Sequence, residues 1–406
     1  NIAYSGIMLY TTALVLEFIT GIGVVDAILI VAVVAVTYTM LGGISAVIWT
    51  DVIQASILFI GAVLTAFLLI GALPESLPAT LDALKAEGRT DPFELSMDPS
   101  KVATIWTGVI AMSIYHVVVY GVNQMMVQRT LAARSLGDAK KAYISMGYVA
   151  FLAYVMFFGL GVLFYSYYGG RTFDNENLIV LTFVAGVGVP GLMGILTAAV
   201  VAAAMSSLDS SLNSMATVTT LDFYEKFAKK DGTPEHYLKA SRWFTLFWAV
   251  LMVIPAIAFT QAGGSVLEVL SKVGSFFVGS KLAMFGMGFY SKHATERGLL
   301  IGVAAGFLAL WYVEVYMDVA WPWYCALGAI VSIVVAWVSS VLIDGFQDGY
   351  SEYTVQGQKE KFRRENLEEM EDGWYVLPGK VDRASYWLLV YFGLCVAGLA
   401  VMQALI

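Results

Sequence analysis

The 406-residue chain is 59% hydrophobic and only 13% charged, with a mean hydropathy of +0.75, against about a quarter charged in ordinary soluble domains. That balance excludes a soluble enzyme or a basic nucleic-acid-binding module and defines an all-α integral membrane protein. The net charge of −8 says little about partners, because it is divided between the two sides of a bilayer. Taken in chain order, eleven apolar stretches cover about 2–24, 25–42, 51–73, 102–122, 143–168, 190–221, 238–260, 264–290, 298–317, 320–343 and 384–405. Each suffices to cross a hydrocarbon core of about 30 Å. They are too long and too rarely alternating for barrel strands, so each is predicted to be a membrane helix.

Loop charge sets the orientation. Arg129, Arg134, Lys140 and Lys141 follow the fourth stretch, Lys226, Lys229, Lys230 and Lys239 the sixth, and Lys292 and Arg297 the eighth. These loops are expected inside, where basic residues accumulate. Residues 74–101 are net acidic and residues 169–189 carry a single basic residue, Arg171, so both are expected outside. The alternation agrees with the number of crossings and describes a multi-pass protein of the cell membrane. Residues 344–383 carry dense charge of both signs and are expected as a charged cytoplasmic connector, with 358–371 readable either as an amphipathic helix or as a solvated linker. Asn1 runs straight into an apolar stretch, so the chain is expected to be the fragment of a longer protein.

No phosphate loop, HExxH, CxxC or strand-borne GxSxG is present. His116, His236 and His293 fall in different segments, and Cys325 and Cys395 lie in apolar ones where packed thiols are expected. The chemistry instead concentrates at residues 203–214, Ala-Ala-Met-Ser-Ser-Leu-Asp-Ser-Ser-Leu-Asn-Ser. At about 100° per residue, Ala203, Ser206, Ser207, Ser210 and Ser214 form one stripe. Hydroxyls and freed carbonyls on such a stripe suit a small hard cation, whereas serines that only ease close helix packing would look the same.

Three patches resemble the sodium/solute symporter family, which includes the sodium-glucose cotransporters. Gly42-Gly43 leads through Trp49 into Thr50-Asp51-Val52-Ile53-Gln54. Tyr120-Gly121-Val122-Asn123-Gln124 is followed by Gln128-Arg129. The Ala203 to Asn213 run ends in Asp222-Phe223-Tyr224. The resemblance covers residues 1 to about 340. It implies a LeuT-like fold of two inverted five-helix repeats, with 1–73 a partial first repeat lacking its first two core helices, 102–290 the second repeat, 298–343 peripheral helices and 384–406 the last helix. The implied activity is sodium-coupled symport of a small organic solute by alternating access, without enzymatic chemistry. A sensory membrane module or a sodium-independent uniporter or channel are the alternatives.

The resemblance assigns the main sodium ion to the Ala203 carbonyl and the Ser206 and Ser207 hydroxyls, and a second cation to Asp51 with Ser206 and Ser210. Asp51 also begins an expected helix and can equally be read as its cap. Asp209 stands where the family pattern leads us to expect no carboxylate. For the solute, Ala153 replaces the lysine of sugar-transporting members and Val119 their stacking aromatic. His116 and Tyr120 lie one turn apart, and Lys272 lies one turn after Glu268. A Glu268–Lys272 pair is one reading, and Lys272 meeting an anionic solute is the other. The expected partners are therefore a small solute, an organic anion or a sugar-like molecule, and the lipid bilayer, with no nucleic acid.

Overall fold

The computed structural model describes residues 2–90, 93–188, 191–261 and 265–405. Its helices are α1 (Ile2–Thr20), α2 (Val24–Ala72), α3 (Leu77–Ala86), α4 (Ser113–Gly121), α5 (Gln124–Leu131), α6 (Leu136–Tyr167), α7 (Ile179–Val187), α8 (Leu192–Val218), α9 (Pro234–Phe259), α10 (Val266–Tyr290), α11 (Glu296–Tyr316), α12 (Pro322–Asp344), α13 (Val355–Glu365) and α14 (Arg383–Leu405). A two-stranded hairpin, β1 (Met370–Glu371) and β2 (Trp374–Tyr375), lies between α13 and α14. Among the described residues eight helices are long and apolar enough to cross a membrane, or nine if the bent α4–α5 pair is one span.

The expected helices at 25–42 and 51–73 are not separated by a loop. They form one 49-residue helix broken at Gly43, whose backbone sits at φ 57°, ψ −155°. At 1.5 Å per residue α2 is about 73 Å long, more than twice a bilayer core, so it holds both expected crossings. A positive φ is open to glycine and strained for other residues, which lets the direction change within one residue. Asp51 consequently lies inside helix, well past the break, and does not cap anything.

The chain divides into two compact units, residues 1–84 with 156–270, and residues 85–155 with 271–406. In the first, α1, α2, α8 and α9 pack around Leu9, Ile28, Leu208, Leu212 and Met252. Small residues let these helices approach: a Cβ at Gly6 would come within 2.6 Å of Pro255 Cγ. A second cluster joins the end of α2, α6, α7 and α8 through Leu69, Phe164, Phe183 and Leu196, with Phe164 edge-on to Phe183.

In the second unit α4 is preceded by a π-helical stretch, Thr107–Met112, and the α4–α5 pair bends by 48°. Asn123 caps α5 by accepting from the Met125 N–H. The α11–α12 seam is built from small residues. Gly298, Gly302 and Gly306 of α11 face Ser340, Ala336 and Ser332 of α12, and a Cβ on Gly302 would lie 2.5 Å from Ser332 O. This spacing of four is the membrane pattern for backbone contact between helices.

The stretch 344–383 is largely exposed, yet it is folded, with α13 and the hairpin inside it. Its helix ends at Glu365, where Asn366 takes a left-handed conformation, so the expected 358–371 helix stops short and a hairpin follows. Lys140 of α6 donates to Asp382 Oδ2 and to the Tyr375 carbonyl, each at 2.6 Å, and the Tyr375 N–H donates to Asp382 Oδ1 at 2.9 Å. Trp374 packs on Gly137, and α14 continues along α6 with Leu388 on Gly147 and Tyr391 edge-on to Tyr148. Burial alone would push the Asp382 carboxyl up, but the Lys140 and Tyr375 hydrogen bonds and the Lys140 charge together hold it below its ordinary value.

Candidate functional site

The α8 stripe lies in the first unit. Ser206 donates its hydroxyl hydrogen to the Ala203 carbonyl at 3.2 Å, and Ser210 to the Ser206 carbonyl at 2.8 Å. Both bonds use the hydrogen and leave oxygen lone pairs, so these hydroxyls are oriented to accept a cation. Ser207 is half-buried and its hydroxyl makes no hydrogen bond among the described residues. Ser211 and Ser214 turn to the protein: Ser211 is fully buried and accepts from Ser5 of α1 at 2.6 Å, and Ser214 donates to the Ser211 carbonyl.

Asp209 carries the signal that the sequence left unassigned. It is 0% exposed on the α2–α8 seam. Thr39 of α2 donates to its Oδ1 at 3.5 Å, the outer limit of a hydrogen bond. Its Oδ2 has no hydrogen-bond partner, and neither has the Tyr38 hydroxyl, which lies close to the same carboxyl group. Asp51 is near enough for the two carboxylates to repel each other. Among the described residues Asp209 takes part in no ion pair. Two carboxylates this close at membrane depth are costly unless a positive charge joins them.

The expected solute residues belong to the second unit and do not form one cluster. His116 stacks on Tyr120, ring centroids 5.6 Å apart. Its Nδ1 lies 2.7 Å from the Met112 carbonyl and must donate there, which turns Nε2 as an acceptor toward the Tyr154 hydroxyl at 3.5 Å. Lys272 stands apart from this group. It pairs with Glu314 of α11 at 2.5 Å, not with Glu268, and Glu314 also accepts from the Tyr324 hydroxyl of α12. The i−4 spacing that favoured Glu268 is overridden by a partner on another helix. With its charge answered, Lys272 is not a free cation awaiting an anion.

Long apolar helices, one broken in mid-run, and a hydroxyl-rich stripe beside a buried carboxylate define a multi-pass membrane protein of LeuT-like fold. A solved structure, a Na+-coupled sialic acid symporter in a substrate-bound outward-open state, matches with a TM-score of 0.74 over 84% of this chain and 72% of that one, at 24% identity. The sequence profile of the sodium:solute symporter family matches residues 2–306, and the chain belongs to that family. A sodium-dependent multivitamin transporter of Oryctolagus cuniculus is 28% identical over 77% of this chain and 50% of its own length. The sodium/sialic acid symporter NanT of Aliivibrio fischeri is 27% identical over 84% and 68%. The chain spans about half the length of the first curated relatives it matches.

Proposed function

We propose that the protein performs sodium-coupled symport of a small organic anion by alternating access. The observation that carries the reading is the α8 stripe, with two hydroxyls oriented by carbonyls and a third unengaged, beside a fully buried carboxylate with an orphaned oxygen. In this reading the Ala203 carbonyl, Ser206 and Ser207 supply oxygen ligands to the main sodium ion. Asp51, Ser206 and Ser210 hold a second cation, and Asp209 adds its charge to that site. Sodium favours such oxygen donors, and a cation between Asp51 and Asp209 offsets the repulsion that an empty site would leave.

For the solute, His116 and Tyr120 are the expected residues not held in an ion pair, and Tyr154 reaches His116. An anion would meet His116 at Nε2 once that ring is protonated, and Lys272 would contribute only if its pair with Glu314 opens. A relative that carries sialic acid supports an acidic solute, while Ala153 and Val119 depart from the sugar pattern. The test is uptake by the full-length protein in proteoliposomes. Sodium-driven uptake of a carboxylate, with Asp209→Asn raising the sodium needed for half-maximal rate and His116→Gln raising the solute KM, is expected. Uptake indifferent to sodium would end the symport reading, and preference for a neutral sugar with His116→Gln silent would end the anion reading.

A further inference from the structure

A polar cleft of about 790 Å³ opens where α10 and α12 end and α11 begins, on the side the loop charges assign to the cytoplasm. Its walls carry Lys292, Arg297, Glu296 and Asp344. An apolar groove of about 500 Å³ adjoins it, floored by Met284, Gly288, Leu299, Leu300 and Val303. Lys292, Thr295, Glu296 and Ser351 line both, so the two are continuous. We propose that this composite site binds a phosphatidylethanolamine, with the headgroup in the cleft and an acyl chain in the groove.

The charges select the headgroup. None of the four forms an ion pair among the described residues, whereas Lys140 and Lys272 of the same unit do. Two cations and two anions share one cleft without neutralising each other, a pattern that a zwitterion complements. The phosphate suits Arg297, whose guanidinium fork matches its oxygens, together with Lys292. The backbone N–H groups at the start of α11 favour the same negative charge, since Thr295 caps only Gly298. The ammonium donates to Glu296 and Asp344. A choline headgroup has no N–H to give them, and a glycerol headgroup leaves both carboxylates facing a net anion.

The groove suits the chain. A Cβ at Gly288 would touch nothing within 4 Å, so the floor there is open, and Leu300 is 65% exposed. Tyr290 and Phe346, both 69% exposed, lie within two residues of Lys292 and Asp344 in the chain, and exposed aromatics at helix ends are the kind that mark a membrane interface. Nothing in this assignment depends on the symport reading.

Native mass spectrometry on the delipidated chain, offered equal amounts of dioleoyl phosphatidylethanolamine, phosphatidylcholine and phosphatidylglycerol, tests it. Phosphatidylethanolamine should be retained in preference to both others. Arg297→Gln should cut its retention about tenfold, the loss of one charge-assisted contact, and Glu296→Gln with Asp344→Asn should shift preference to phosphatidylglycerol. Gly288→Leu should block retention with every charge in place. Equal retention of all three lipids, preference of the unaltered chain for phosphatidylglycerol, or an indifferent Gly288→Leu variant would each overturn the proposal. Unchanged unfolding temperatures of the variants without lipid confirm that the losses are local.

Discussion

Replacing Lys140 by methionine should free the 366–382 segment from α6 while leaving the membrane helices intact. The ammonium serves Asp382 Oδ2 and the Tyr375 carbonyl at 2.6 Å each, with side chains only 25% and 11% exposed for Lys140 and Asp382. Removing one partner of a fully buried pair costs about 3–5 kcal/mol, and hydrogen bonds to charged groups are worth about 1.5–3 kcal/mol. Partial exposure screens this clasp, which places the loss at about 2 kcal/mol, or roughly a thirtyfold larger opening constant. The Tyr375 amide reports it directly, because its N–H is held by Asp382 Oδ1 at 2.9 Å. Hydrogen exchange at Tyr375 should therefore accelerate about thirtyfold. Lys141→Met is the control, since that lysine pairs with Asp138 at 61% and 50% exposure and should alter exchange little. If Lys140→Met accelerates exchange less than about threefold, or no more than Lys141→Met does, the connector is not clasped in this way.

The pH dependence of the same amide has a definite sign. Asp382 is depressed in the folded state, so its contribution is complete above the ordinary carboxylate value near 3.9 and is lost as pH falls through the folded value; opening already at pH 6, after correction for intrinsic exchange, would contradict this. In the full-length protein, Ser206→Ala or Ser207→Ala should raise the sodium for half-maximal uptake about tenfold, equivalent to about 1.4 kcal/mol. Ser211→Ala should leave sodium dependence alone and cost about 1 kcal/mol of stability by stranding the Ser5 hydroxyl; equal sodium responses from all three would make the serines packing residues. Gly43→Ala should cost about 1–3 kcal/mol through its positive φ alone. Gly71→Ala, inside α2 with open space around it, should be neutral or stabilising in the same thermal denaturation series.

Much of the fold could be read in advance because membrane helices announce themselves by length and apolarity. The ends of α9, α11, α12 and α14 fall within a few residues of the expected stretches, since Thr233, Thr295 and Pro322 are ordinary helix starts. The break at Gly43 was hidden because the glycine pair there reads equally as a loop, and only the backbone angles show that one residue suffices. The fold of 344–383 was hidden for a different reason. Most of its charges are solvated, and Asp382 looks the same until Lys140, some 240 positions away in sequence, supplies its partner. The same kind of distance misled the pairing of Lys272, where helical spacing pointed to Glu268 and the third dimension supplied Glu314. The serine stripe was legible from periodicity, which already left out Ser211, yet only the fold removes Ser214 from it, because that hydroxyl is buried and spent on the Ser211 carbonyl. Asp209 was visible as an oddity, and its meaning comes from Tyr38, Thr39 and Asp51 meeting it across the seam.

The seam between α11 and α12 reverses the usual rules of tolerance. Where helices interlock through large side chains, deleting a methyl opens a void and adding one is sometimes absorbed. Here main chain meets main chain, with Ser332 O and the Ala336 N–H already at the distance a single extra carbon would occupy. Truncation has nothing to remove, while the smallest enlargement wedges the pair apart along its length. A deep mutational scan would find these three glycines intolerant of alanine, and lipid-facing Leu308 or Val334, exposed at 67% and 55%, indifferent to almost any apolar exchange.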